Sequence, residues 1–173
     1  MNIECWKFIN SFAPWLSAIG TIVATSVSLY IALSNRKISI DITSEIYEFD
    51  AGVEKLIVQV TNTGYRTVVF NNYSCIAFQL SKFRSSKNIG IGSNYIDFQN
   101  SSQFPCKLSE GETMKLIISM DNLESGNWLK NFKRNHMNGY SESDLKVIAY
   151  PNVAKPFIKK VGKSIRTELA KES

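Results

Sequence analysis

The sequence predicts a mainly β protein: one N-terminal transmembrane α-helix, then an antiparallel β-sandwich or small barrel with one or two short helices. Two observations predict it. The 22 residues from Phe12 to Leu33 carry no charge. After them, short stretches of alternating apolar and polar residues recur between Asn-, Gly- and Ser-rich turns, the pattern of strands half-buried in antiparallel sheets.

The uncharged run reads FAPWLSAIGTIVATSVSLYIAL. At 1.5 Å per residue it spans about 33 Å, enough for a hydrocarbon core of about 30 Å. Trp6, Trp15 and Tyr30 fall near its ends, where amphipathic rings favour the interface. Pro14 is expected in the first turn, where its missing N–H does little harm. Ala32 and Ser34 form a small-x-small pair of the kind found at signal-peptide cleavage sites. The run is longer than the usual h-region of about 7–15 residues, and Arg36 and Lys37 follow it directly, so a retained anchor is expected. Lys7 and Glu4 lie before the helix and Arg36 and Lys37 after it. The positive-inside rule then places the C-terminal side in the cytoplasm.

This helix has two unlike faces. At 100° per residue, Gly20, Ala24, Ser28 and Ala32 form one ladder of small residues, and Ser17, Thr21 and Thr25 a second beside it. Large side chains such as Leu16, Ile19, Ile22 and Val23 occupy the other half. Small and hydroxylated residues let helix backbones approach closely in a membrane. Self-association into a homo-oligomer through this face is therefore expected.

The expected organisation is a flank over 1–11, the transmembrane helix over 12–34, a β domain over 35–154 and a basic strand/helix tail over 155–173. An apolar fraction of 44% against 20% charged excludes wholesale disorder. Abundant Asn, Lys and Ile fit an AT-rich genome, which points to a bacterial or phage source. Ile38, Ile40 and Ile42 alternate with polar neighbours to give a first strand. Leu56, Val58 and Val60 give a second, ended by Asn62-Thr63-Gly64, a turn signal. Val68 to Phe70, then Ile76, Phe78 and Leu80, predict further strands. Ser81 to Ser93 reads as a polar loop, and Tyr95 to Phe98 as a short strand. Met114, Leu116, Ile118 and Met120 alternate after the turn at 109–112. Asn122 to His136 is the interior helix candidate, with Leu129 and Phe132 on one face, and Leu145 to Tyr150 is another strand.

The segment VQVTNTGYRTVVF, Val58 to Phe70, resembles the strand–NxG–strand element of immunoglobulin-like bacterial sandwich domains. The resemblance covers about 13 residues and implies a fold class, with no function attached. The Cys…Trp…Cys pattern of true immunoglobulin domains is absent.

Nothing in the sequence predicts an enzyme, a cofactor or a metal. His136 is the only histidine and reads as a surface residue. Cys5, Cys75 and Cys106 form no CxxC pair. Cys75 and Cys106 could meet across a sheet, although buried free thiols are the expectation. Gly162-Lys163-Ser164 resembles the end of a P-loop, but position 157, which needs glycine, is Phe157. Gly90-Ile91-Gly92 lacks the third glycine of a dinucleotide fingerprint, since position 95 is Tyr95. Asp41, Glu45, Glu48, Asp50 and Glu54 read as a solvated acidic edge.

Charge concentrates at the C-terminus. Lys155 to Ser173 holds six basic and two acidic residues, against thirteen and twelve in Arg36 to Ala154. Ile158, Val161, Ile165 and Leu169 recur there at three- and four-residue spacing. Two expectations follow. The tail either packs on the domain as a strand and helix, with Ile158, Val161 and Ile165 in the core, or lies on an anionic leaflet. In the second case Arg36, Lys37, Lys159, Lys160, Lys163 and Arg166 are the lipid contacts. Nucleic acid is not an expected partner, because Phe157 is the only aromatic platform in the basic run.

The leading functional expectation is a non-enzymatic, membrane-anchored module that binds a protein or small molecule at the cytoplasmic face of a bacterial inner membrane. The alternative is an oligomerising, membrane-disrupting effector whose β domain senses a ligand. That layout is similar to the short effectors of bacterial anti-phage systems, many of which carry two or more membrane helices where this chain offers one.

Overall fold

The computed structural model describes residues 3–34, 37–49, 52–83, 85–122 and 126–171. They divide into two compact units, Met1–Lys37 and Ile38–Ser173. The first unit is the helix α1 (Ile3–Ser34), 32 residues long, or about 48 Å at 1.5 Å per residue. It starts well ahead of the apolar run. Pro14 therefore lies inside the helix and not in its first turn, and it leaves the Asn10 carbonyl without an N–H four residues on. Phe12–Leu33, with a mean hydropathy of 1.8, is long and apolar enough to cross a membrane, and none of it is buried within the protein.

The second unit runs β1 (Ile40–Phe49), β2 (Val53–Asn62), β3 (Val68–Phe70), β4 (Ile76–Lys82), β5 (Ser85–Gly90), β6 (Cys106–Leu108) and β7 (Thr113–Ser119). It continues with β8 (Asp121–Asn122), β9 (Gly126–Asn127), the helix α2 (Trp128–His136), β10 (Leu145–Ala149), β11 (Phe157–Lys160) and the helix α3 (Lys163–Lys171). The strands form a three-stranded sheet β1-β2-β7, a four-stranded sheet β11-β10-β4-β5, and the pairs β3-β6 and β8-β9. Every pairing is antiparallel. No sheet is closed, so the barrel alternative does not form.

Alternation along the strands decides which side chains meet. Leu56, Val58 and Val60 of β2 lie opposite Ile118, Leu116 and Met114 of β7. All six are buried, and they join Ile76, Phe78 and Leu80 of β4 and Leu145 and Val147 of β10 in one cluster. Each such side chain contributes about 1.5–3 kcal/mol. β4 is an interior strand and is buried from Ile76 to Leu80, Gln79 included. The Gln79 side-chain amide donates to the Asn88 amide oxygen at 2.9 Å, which removes the cost of hiding it.

The Val58–Phe70 segment crosses from the three-stranded sheet to the β3-β6 pair. Asn62, fully buried, anchors the crossing. Its side chain donates to the carbonyls of Arg66 (2.8 Å) and Leu108 (3.0 Å) and accepts from the Gly64 N–H (3.0 Å).

Three elements differ from the expectation. Ser81 to Ser93 is not a loop, because β5 pairs with β4 from Ala77–Gly90 to Lys82–Ser85. Tyr95 to Phe98 is not a strand: a 3-10 turn spans Ser93–Tyr95, and only Ile96 bridges to Ile118. The helix predicted over Asn122 to His136 begins at Trp128, after the short β8-β9 pair, where Gly126 adopts φ 70°. Such a positive φ suits glycine and ends helical continuity. The Asn127 side chain caps α2 by accepting the Lys130 N–H at 3.1 Å.

The tail packs on the domain. β11 extends the four-stranded sheet beyond β10, and Val161, Ile165 and Leu169 enter the core. Ile158 does not, contrary to the expectation. It is 50% exposed on the edge strand, while its neighbour Phe157 packs against the core. Cys75 and Cys106 are free and half-buried. Burial, then the Glu112 charge, raises the Cys106 thiol pKa.

Candidate ligand-binding cleft

A cleft of about 390 Å³ opens between α2 and residues 89–95. Its walls are Ile89, Gly90, Gly92 and Tyr95 on one side and Trp128, Asn131, Phe132, Arg134, Asn135 and His136 on the other. The helical wall is held rigidly. Trp128 and Phe132 sit 5.0 Å apart, and each packs on Phe78 of β4, at 5.2 and 5.7 Å between ring centroids. Such aromatic clusters add to plain area burial. The opposite wall is tied to the helix by the Asn131 side-chain amide, which donates to the Tyr95 hydroxyl at 3.2 Å.

The cleft is polar and single-signed. Among the described residues lining it, Arg134 is the one Arg or Lys, and none is a carboxylate. The Arg134 guanidinium donates to the Asn131 side-chain oxygen at 3.3 Å, so Arg134, Asn131 and Tyr95 form one chain of hydrogen bonds. His136 stacks edge-on against Phe132 at 5.5 Å. Its Nδ1 is buried without a protein partner, so it is not the plain surface histidine expected. Burial, aided by the positive charge of Lys87, lowers the His136 pKa below its ordinary 6.5. The neutral imidazole, with one nitrogen a donor and the other an acceptor, is thereby favoured.

A second cleft, about 400 Å³, lies between Ile46 of β1 and α3. Glu48, Glu54 and Glu168 line it beside Lys163 and Lys171, and Lys171 already pairs with Glu168 at 2.8 Å. Its three carboxylates and two ammonium groups mix both signs, unlike the first cleft.

The sequence-predicted residues lie elsewhere. Ser17, Gly20, Thr21, Ala24, Thr25, Ser28 and Ala32 all lie exposed on α1. The Thr21 and Thr25 hydroxyls donate to the carbonyls of Ser17 (2.9 Å) and Thr21 (2.8 Å), one turn back. These two hydroxyls are satisfied within the helix and require no neighbouring helix. A Cβ added at Gly20 would meet nothing within 4 Å.

Of the expected lipid contacts, Arg36 lies outside the described residues and Lys37 is exposed. Lys159 pairs with Asp41 of β1. Lys160 is exposed on β11, and Lys163 faces the glutamates of the second cleft. Arg166 is half-buried, with an unpartnered buried Nε. Among the described residues, no three His, Cys, Asp or Glu side chains are grouped to hold a metal.

The cleft residues carry no motif. Tyr95 and Asn131 are 36 positions apart, and only tertiary packing unites them. The legible part was the spacing of Asn131 and Asn135, four residues apart and so on one face of a helix. No known family model, curated protein or solved structure matches this chain.

Proposed function

We propose that the chain is a non-enzymatic binding module held at the cytoplasmic face of a bacterial inner membrane by Phe12–Leu33. Its soluble part is a β-sandwich, immunoglobulin-like in the Val58–Phe70 element, that binds a small polar ligand between α2 and residues 89–95. The cleft carries this reading: an aromatic wall, three amide or hydroxyl side chains and one guanidinium line it together. A few placed polar groups on a preformed concavity are the usual makings of a small-molecule site. Anchoring is supported by the run of 22 uncharged residues, and orientation by Arg36 and Lys37.

The test uses tryptophan as the reporter. Trp128 lines the cleft, and the chain's other two tryptophans are Trp6 and Trp15. In full-length protein carrying Trp6→Phe and Trp15→Phe, a small-molecule fraction of bacterial cytosol should shift Trp128 emission. The shift should vanish when Asn131→Leu fills the cleft. Emission unchanged by any fraction, or unchanged by the Leu variant, would oppose the proposal.

The small-residue face of α1 favours a second reading, in which ligand binding drives the helices together and disrupts the membrane. Overexpression should then depolarise cells, and Gly20→Leu should prevent it.

A further inference from the structure

We infer that the ligand of this cleft is a small organic anion, with its carboxylate or phosphate on Arg134 and a planar part along the Tyr95–Asn131 wall. This rests on the cleft being the ligand site. Three observations carry it.

The first is charge. Arg134 is unopposed by any carboxylate among the lining residues. Lys87 adds positive potential, since it acts on His136 across the same region. An anion gains from both, and a cation is repelled by both. The negative end of the α2 dipole works the other way, but it is diffuse and screened, whereas a guanidinium offers paired donors to an oxyanion.

The second is pre-organisation. Arg134 donates to Asn131, which donates to Tyr95. The guanidinium is thereby directed before any ligand arrives, and a planar group lying on that wall meets amide and phenol together.

The third is size. About 390 Å³ lies near the small end of the range for small-molecule sites, roughly 300–1,000 Å³. It admits one ring with one acidic group and excludes a folded peptide or a nucleic-acid strand.

The experiment compares near-isosteric probes on the full-length Trp6→Phe, Trp15→Phe protein, reading Trp128 emission. The probes are phenyl phosphate, benzoate, benzamide, benzamidine and inorganic phosphate. Phenyl phosphate and benzoate should bind at least tenfold more tightly than benzamide or benzamidine, and phenyl phosphate more tightly than inorganic phosphate. Arg134→Gln should weaken the two aromatic anions about tenfold, leave benzamide unchanged, and leave the melting temperature unchanged because Arg134 is exposed. Benzamide binding as well as benzoate, or anion binding indifferent to Arg134→Gln, would overturn the ligand class and leave the cleft as a site. Silence from all five probes would overturn both.

Discussion

Gly162 donates its backbone N–H to the carbonyl oxygen of Ser44 at 3.0 Å, joining positions 118 residues apart. Around this bond the tail covers the outer edge of β1: Ser164 accepts the Ile46 N–H at 2.9 Å, and its own N–H reaches the Glu45 carboxylate at 3.2 Å. β11 meanwhile pairs with β10, so one short segment ties the edges of both larger sheets. An uncovered β1 edge would invite pairing with another chain.

Gly162 is present because the approach leaves no room. A Cβ there would fall on the Ser44 carbonyl and the Glu45 carboxylate. Gly162→Ala should destabilise the protein by about 1–3 kcal/mol, the cost of overpacking, measured as a lowered urea midpoint in detergent. An unchanged midpoint would mean that the tail does not dock as described.

The two apolar residues Leu169 and Ile158 should behave oppositely on truncation. Leu169 is fully buried, so Leu169→Ala should cost about 2–5 kcal/mol. Ile158 is half-exposed, and Ile158→Ala should fall within about 0.5 kcal/mol of the parent. Equal losses at both positions would place Ile158 in a core.

Two groups predict loss of stability in acid, in separate windows. Lys55 donates to Asp97 at 2.7 Å, and that bond holds the Asp97 carboxyl below its ordinary 3.8. Its contribution is present above pH 3.8 and is lost as pH falls through the lower folded value. For His136 the folded pKa lies below 6.5. The unfolded chain therefore takes up the proton first, and stability declines as pH drops below 6.5. Urea midpoints against pH should flatten below pH 6.5 in His136→Gln, and on the acid limb alone in Lys55→Met. Identical profiles in parent and variants would contradict both assignments.

How much the sequence disclosed follows from periodicity. β2 and β7 were legible because the core-facing side of each is apolar, giving Leu56-Val58-Val60 and Met114-Leu116-Ile118 at spacing two. β5 was not, because in SSKNIG only Ile89 is buried; an edge strand that faces water has no alternation to read. The start of α2 was lost because the two-residue strands β8 and β9 are too short to show a period. The cleft was invisible for a different reason. Its walls, residues 89–95 and 128–136, meet only after β4 has brought Phe78 beneath Trp128 and Phe132.

The α1 faces should differ if the helix self-associates. Gly20→Leu and Ala24→Leu should weaken association measured by energy transfer in vesicles, because bulk holds backbones apart. Ile19→Leu and Val23→Leu should have little effect. The hydroxyls of Thr21 and Thr25, already bonded within the helix, should tolerate Val with a small loss. Equal losses from both faces would show that the small ladder is a matter of composition alone.

Cysteine labelling decides whether the β domain is held on the cytoplasmic side of a membrane. Phe83, at the tip of the β4-β5 hairpin, is 87% exposed. In a full-length variant lacking Cys5, Cys75 and Cys106, Phe83→Cys provides a single accessible thiol. The protein should sediment with membranes, resist an impermeant thiol reagent in intact spheroplasts and react fully after lysis. Labelling in intact spheroplasts would reverse the orientation, and recovery in the soluble fraction would remove the anchor.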